Sequence, residues 1–394
     1  MLLCALDSAA AGAGPPADGH RAAPARLVEG PRTRPTALPR EGLLMALSRW
    51  GTSTLCAFDA SGRTMTPLVT ATTGDPLVSS AGGLVAYLVR RGADPAENYV
   101  EILDPGTAKR LRLRAAAGCA ILGFVLDPGG RRMAYTAINL RDSSSRRVSW
   151  HSGLADLRSY RVRVSPARGP RDPTGAAVPA PFAWSARTGE IYLRGVLPFR
   201  GMAHQGIWAM APGGSRLRQI VPEPSYTGTP SLSPDGRYLA YLSTRVDALP
   251  KTFIASPGAP PGNALVVLDL ATERESTLAE APGGAFGAFA WSEDGAGVLA
   301  TRRRWRERRF RDAAFLGVRP DLVEQPREIR AASPASPVSG LAACRGGSLY
   351  WVEEGREESR LRGVAAEGRE PATLFATPAD DMSIVGCLEE MRSR

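Results

Sequence analysis

The sequence predicts an all-β fold: a seven-bladed β-propeller of four-stranded antiparallel blades, with the ring closed by the C-terminal strand completing the N-terminal blade. Three observations carry this prediction. A turn glycine followed by a short apolar run returns along the chain. Each return is followed by two more strand-like runs joined by a tight turn. The two ends of the chain hold complementary parts of one blade.

The clearest copy runs from Pro230 to Arg245, PSLSPDGRYLAYLSTR. Pro234 presets φ at the start of its turn, and Gly236 suits the positive φ near its end. Tyr238 to Leu242 then has the β-rich composition of a half-buried or buried strand. With the turn glycine as anchor, the copies fall at Gly82, Gly130, Gly189, Gly236, Gly295 and Gly346, in steps of 48, 59, 47, 59 and 51 residues. A period of roughly 40–50 residues with four short strands per unit marks a propeller, and loop insertions account for the longer steps. The third and fourth strands are clearest in Asn263 to Glu280, and again in Asn98 to Arg114 and Gly206 to Val221. One such blade cannot cover both of its faces, whereas a ring of blades buries them against each other.

Leu43 to Val69 reads as strands b, c and d with no strand a before them. Met382 to Leu388 reads as a strand a with nothing after it. Joining them removes two sheet edges and gives six repeats plus one shared blade. The domain expectation is therefore a single propeller over 41–394. Residues 1–40, rich in Ala, Gly, Pro and Arg and without periodicity, are expected to be a disordered tail or the remnant of a signal segment. SLSPDGRYLAYLSTR, and more weakly FAWSEDGAGVLATR, resembles the repeat of TolB-type, WD-repeat-like bacterial propellers. The best-known members carry six blades and a separate N-terminal α/β domain, so the resemblance reaches the propeller only. It implies no catalytic residue.

Composition narrows the function classes. The 394 residues carry a net charge of +10 with 43% hydrophobic residues, and no apolar run is long enough to span a membrane. All but two of the 49 basic residues are arginine. In a chain rich in Ala, Gly and Pro, this reads as coding bias with dispersed surface charge, so no specific nucleic acid is expected. Five cysteines (Cys4, Cys56, Cys119, Cys344 and Cys387) form no CxxC and are odd in number. Cys119, Cys344 and Cys387, in or beside strands a, read as packing thiols, and neither a full disulfide framework nor a metal site is expected. Motifs for a serine hydrolase, a zincin and a P-loop are absent, and there are only three histidines. Asp127, Asp235 and Asp294 fall in the a–b turns, where a carboxylate caps its own backbone. No cofactor, no metal and no catalytic residue are assigned.

Topology points to a face. The a–b and c–d turns share one rim and are short, whereas the b–c connections at the other rim are long and varied. Loops on a rigid scaffold are where binding concentrates. Three of them have distinctive content. Arg302 to Asp312 (RRRWRERRFRD) alternates arginine with Trp305 and Phe310, and reads either as a hot spot or as a solvated hairpin extension. Arg146 to Tyr160 brings Trp150 and His151, and Leu197 to Gly206 brings Phe199 and His204. Local loop packing is the competing reading for both.

The expected function is a non-catalytic platform for a protein partner. Arg302, Arg303, Arg304 and Arg306 would steer, Trp150, Trp305 and Phe199 would anchor, and His151 and His204 would lie among them. An anionic glycan or lipid headgroup is the other ligand class these residues suit. The alternative class is a hydrolase or lyase acting on an anionic carbohydrate with carboxylate catalysts. A monomer is expected, periplasmic or extracellular if a signal peptide precedes Met1 and otherwise cytoplasmic.

Overall fold

A computed structural model of the chain describes residues 24–31, 38–39, 41–49, 52–71, 78–91, 94–140, 149–166, 178–196, 204–214, 216–226, 230–248, 262–306, 309–318, 327–329, 338–355, 357–364, 371–378 and 381–388. Six blades follow chain order from strand a to strand d. Blade 2 comprises Val78–Ala81, Leu84–Val89, Tyr99–Asp104 and Lys109–Arg114. Blade 3 comprises Cys119–Leu126, Arg132–Asn139, Trp150–Asp156 and Arg161–Val164. Blade 4 comprises Val178–Trp184, Ile191–Val196, His204–Met210 and Arg218–Tyr226. Blade 5 comprises Ser231–Leu232, Tyr238–Ser243, Ala264–Asp269 and Arg274–Glu280. Blade 6 comprises Gly284–Trp291, Val298–Arg306, Arg309–Val318 and Arg327–Ile329. Blade 7 comprises Val338–Cys344, Ser348–Glu354, Ser359–Val364 and Ala372–Thr377.

Blade 1 is the composite one. Gly42–Arg49, Thr52–Asp59 and Thr64–Ala71 supply strands b, c and d, and Asp381–Cys387 supplies strand a, in register from Leu43 opposite Cys387 to Ser48 opposite Asp381. The all-β, seven-bladed propeller closed by the C-terminal strand is thus the observed fold. Apolar clusters bridge blade 1 to 2, 2 to 3, 3 to 4, 4 to 5, 5 to 6, 6 to 7 and 7 to 1. Strands b and c pack on both faces, which is why they read as continuous apolar runs such as Ala264–Asp269. Strand d at the perimeter is wetter, as in Arg274–Glu280, and several strands a at the channel are only partly buried, as in Val78–Ala81, so burial is greatest in strands b and c.

The repeat signal was turn chemistry. Gly82, Gly130, Gly189, Gly236, Gly295 and Gly346 all have positive φ, between 56° and 76°. At the blade 5 turn, Asp235 Oδ1 accepts from Arg237 N at 3.1 Å and from Ser233 Oγ at 2.6 Å, while Ser233 Oγ accepts from Tyr238 N at 2.9 Å. Asp294 repeats this with Ala296 N and Ser292 Oγ, and Asp127 accepts from Arg131 N and Arg132 N. These carboxylates close turns, as their position in the sequence suggests.

Two expectations change. Arg26–Glu29, inside the segment expected to be disordered, is a strand paired antiparallel to Lys109–Arg114, giving blade 2 a fifth, outermost strand. Leu27, 6% exposed, anchors it in the core between blades 2 and 3. The cysteine reading also needs correction, because Cys344 and Cys387 form a disulfide with Cα atoms 5.6 Å apart. The reason is ring geometry. Both residues end a strand a, and residues one blade apart in sequence become neighbours around the axis. Cys56 and Cys119 stand outside this disulfide, and burial pushes the Cys56 thiol up to about 11.

Candidate functional site

The first strands of successive blades meet around the central channel, and Trp291 Nε1 of blade 6 donates to Ser231 O of blade 5 there at 3.0 Å. A cavity of about 280 Å³ at the a–b end of this channel is lined by Leu232, Phe289, Ala290, Leu341, Ala343 and the disulfide-bonded Cys387, among others. Its lining side chains are uncharged, mostly small or apolar, while polar atoms make up the larger part of the exposed wall. Among the described residues, no group of three or more His, Cys, Asp or Glu is placed to hold a metal ion.

At the opposite rim, blade 6 carries a long hairpin. Strands b and c stay paired through Trp305 opposite Phe310 and Arg306 opposite Arg309. Strand a accompanies strand b only as far as Gly284, opposite Arg304, so Trp305 and Arg306 extend beyond it. The segment expected as a loop is thus strand almost to its tip. The arginines of the strand differ in exposure. Arg304 is exposed, whereas Arg302, Arg303 and Trp305 are half-buried. Arg303 Nη2 donates to Val338 O of blade 7 at 2.7 Å. Its guanidinium also lies over Gly287, where a Cβ would come within 2.7 Å of Arg303 Nε. Arg303 is thereby a tie between two blades as well as a charge at the rim.

Trp150 and His151 are placed differently from the sequence reading. Strand c of blade 3 begins at Trp150, so neither residue is in a loop. Trp150, 2% exposed, packs in the interface with blade 4, beside Ile138, Val178 and Val196. His151, 7% exposed, faces the other way, edge-on to Tyr135 with ring centroids 6.3 Å apart. Burial pushes the His151 imidazole below its ordinary pKa, favouring the neutral form. Tyr135 in turn lies against Gly153, where any Cβ would fall within 2.1 Å of its ring. These two side chains are core groups, and Trp150 is not available as a surface anchor. Phe199 lies outside the described residues. His204 is the first residue of strand c of blade 4, opposite Val196, and its side chain lies outside the description, as does that of Arg306. The candidate residues thus share one rim by topology but belong to blades 3, 4 and 6. Among the described residues, only the blade 6 hairpin brings several of them together.

No protein-family model matches the chain, and no curated protein matches it in sequence. Solved structures match in fold. An oligogalacturonate lyase in complex with manganese aligns with a TM-score of 0.54 at 11% identity, over 87% of this chain and 98% of its own. A protein from Lactobacillus plantarum aligns at 0.52 and 10% identity, over 88% and 98% respectively. The dihydro-heme d1 dehydrogenase NirN aligns at 0.51 and 16% identity, over 93% of this chain and 81% of its own. At these identities the likeness concerns the propeller alone, and such rings carry enzymes as well as other proteins.

Proposed function

We propose that the chain is a TolB-type, WD-repeat-like propeller that works as a non-catalytic docking platform for a protein partner, through its b–c and d–a rim. The observation that carries this reading is the blade 6 hairpin, which projects Trp305 and Arg306 past strand a beside an exposed Arg304. Arginine and tryptophan on a rigid strand pair lose little conformational freedom on binding and are frequent hot-spot residues. The uncharged lining of the channel cavity supports binding over carboxylate chemistry on a sugar. The Cys344–Cys387 disulfide supports an oxidising compartment, in keeping with a bacterial envelope. In the described residues no helix is long and apolar enough to cross a membrane.

The test is a capture from envelope fractions with the immobilised chain over a salt series, followed by affinity measurements on the purified partner. Arg304→Glu and Trp305→Ala should each weaken that affinity about tenfold, and Arg304→Glu should flatten the salt dependence. An affinity unchanged in both variants would remove the hairpin from the interface.

A further inference from the structure

The perimeter of blade 2 differs from the rest of the ring in how its charges are assembled. Strand d reads KRLRLR, and its alternation turns Leu111 and Leu113 into the core shared with blade 3. Arg110, Arg112 and Arg114 therefore line the opposite face. In register, Arg114 stands between Tyr99 of strand c and Arg26 of the added strand, and Arg112 stands between Glu101 and Val28. Arg91 reaches the same place from the b–c connection. The guanidinium carbons of Arg112, Arg114 and Arg91 lie 5.1, 5.6 and 5.7 Å from the centre of the Tyr99 ring.

Among the described residues, five guanidinium groups thus share this face with one carboxylate, and that carboxylate is fully engaged. Glu101, 2% exposed, accepts from the Tyr87 hydroxyl, from Arg110 Nη1 at 2.5 Å and from Arg112 Nε at 2.8 Å. Burial first, and then Glu101, pushes the Tyr87 phenol far above its ordinary pKa, so it stays a donor. Glu29 of the added strand points to the other face, where it accepts from Tyr160 Oη at 2.7 Å and lies 3.8 Å from Lys109 Nζ. Among the described residues, Arg26, Arg91 and Arg114 have no carboxylate within ion-pair distance. The negative face of the Tyr99 ring offsets only part of the mutual repulsion. Strand pairing holds the like charges together, and an anion seated between the guanidinium forks would relieve them.

We propose that this face is a binding site for a phosphate or sulfate group, with Arg91 and Arg114 as its principal donors and Arg26 as a third. Tyr99 fixes the planes of the guanidinium groups from below. Val28, 41% exposed and next to Arg112 in register, gives the site an apolar shoulder for the remainder of an esterified ligand. The N-terminal strand then has a role besides covering an edge, because it completes the site.

The full chain is titrated with inorganic phosphate and with sulfate, followed by phosphorus-31 line broadening or calorimetry. In parallel it is sedimented with phosphatidylcholine vesicles with and without phosphatidic acid. Arg91→Glu and the pair Arg91→Gln/Arg114→Gln are compared with Arg274→Glu, an exposed arginine on the perimeter of blade 5. Saturable binding that drops about tenfold or more in the blade 2 variants, and stays within about twofold in Arg274→Glu, supports the site. Loss from phosphatidic acid vesicles alone identifies a lipid headgroup as its source, whereas loss of free anion binding identifies a soluble one. No saturable binding of any of these probes, or an equal loss in Arg274→Glu, overturns the proposal. Arg91 is exposed, so Arg91→Glu keeps the test decisive should the double variant melt early.

Discussion

Two strands from near the ends of the described chain join this ring, one at the axis and one at the perimeter, and the same backbone pairing does different work in each place. Asp381–Cys387 sits innermost in blade 1, pairs over six positions, and has Met382 and Cys387 buried in the core between blades 7 and 1. Arg26–Glu29 sits outermost in blade 2, pairs over four positions, and buries Leu27 alone among its four side chains. Hydrogen bonds to a neighbouring strand are worth little net once water is counted. The difference in apolar burial, reinforced by the disulfide, therefore makes the first strand part of the ring and the second an addition to it.

Four experiments break or sharpen this contrast. Removing 381–388 should have the largest effect. It uncovers Leu43, Leu44 and Met45, all fully buried, at about 1.5–3 kcal/mol each, and opens the ring as well. The expected outcome is loss of near-ultraviolet dichroism and of soluble monomer; a folded, monomeric product would show that the closing strand is dispensable. Next is Cys344→Ser/Cys387→Ser, which should lower unfolding free energy by about 2–4 kcal/mol for a loop of 43 residues, read from denaturant midpoints without reductant. Leu27→Asp should cost at most about 1.5–3 kcal/mol, and only locally. Amide exchange should rise in Lys109–Arg114 and stay unchanged in Asp381–Cys387. Equal acceleration in both would mean that the perimeter strand is as integral as the closing one.

The smallest effect concerns the interface between blades 2 and 3, whose outer rim the added strand covers. His151 is neutral and buried there, with a folded pKa below its ordinary 6.5. Its contribution is complete above about pH 6.5 and is lost as the pH falls from there toward the depressed folded value, because the unfolded chain takes up the proton first. His151→Gln should therefore flatten the acid side of the stability profile, checked by thermal melts between pH 7 and 5.

The turn glycines made the ring legible. Each of the six marks a position that requires positive φ, and a local requirement survives in sequence wherever the blade falls. The closing strand was legible because both of its halves are apolar runs. The perimeter strand was not. RLVE has a single buried side chain, and one leucine in an Ala-, Pro- and Arg-rich stretch is no pattern. The disulfide was hidden by counting cysteines along the chain, although both of its members end consecutive first strands. At the candidate site, charge was mistaken for loop. The blade 6 hairpin keeps its strand pairing through its arginines, with a register shift between Arg302 and Arg303. Trp150 and His151 look like the end of a polar loop until strand c is seen to start with them.

The closure of blade 1 also sets a timetable for synthesis. Leu43 pairs with Cys387, and 344 positions separate them. At about 5–20 residues per second, the ribosome needs on the order of 20–70 seconds to deliver the partner. Blades 2 to 7 can each pair their strands soon after emerging, since their contacts are local. Blade 1 must wait with one edge and its apolar residues uncovered, so the first part of the propeller to be made is the last to be finished. A chaperone acting on this nascent chain would find its target there.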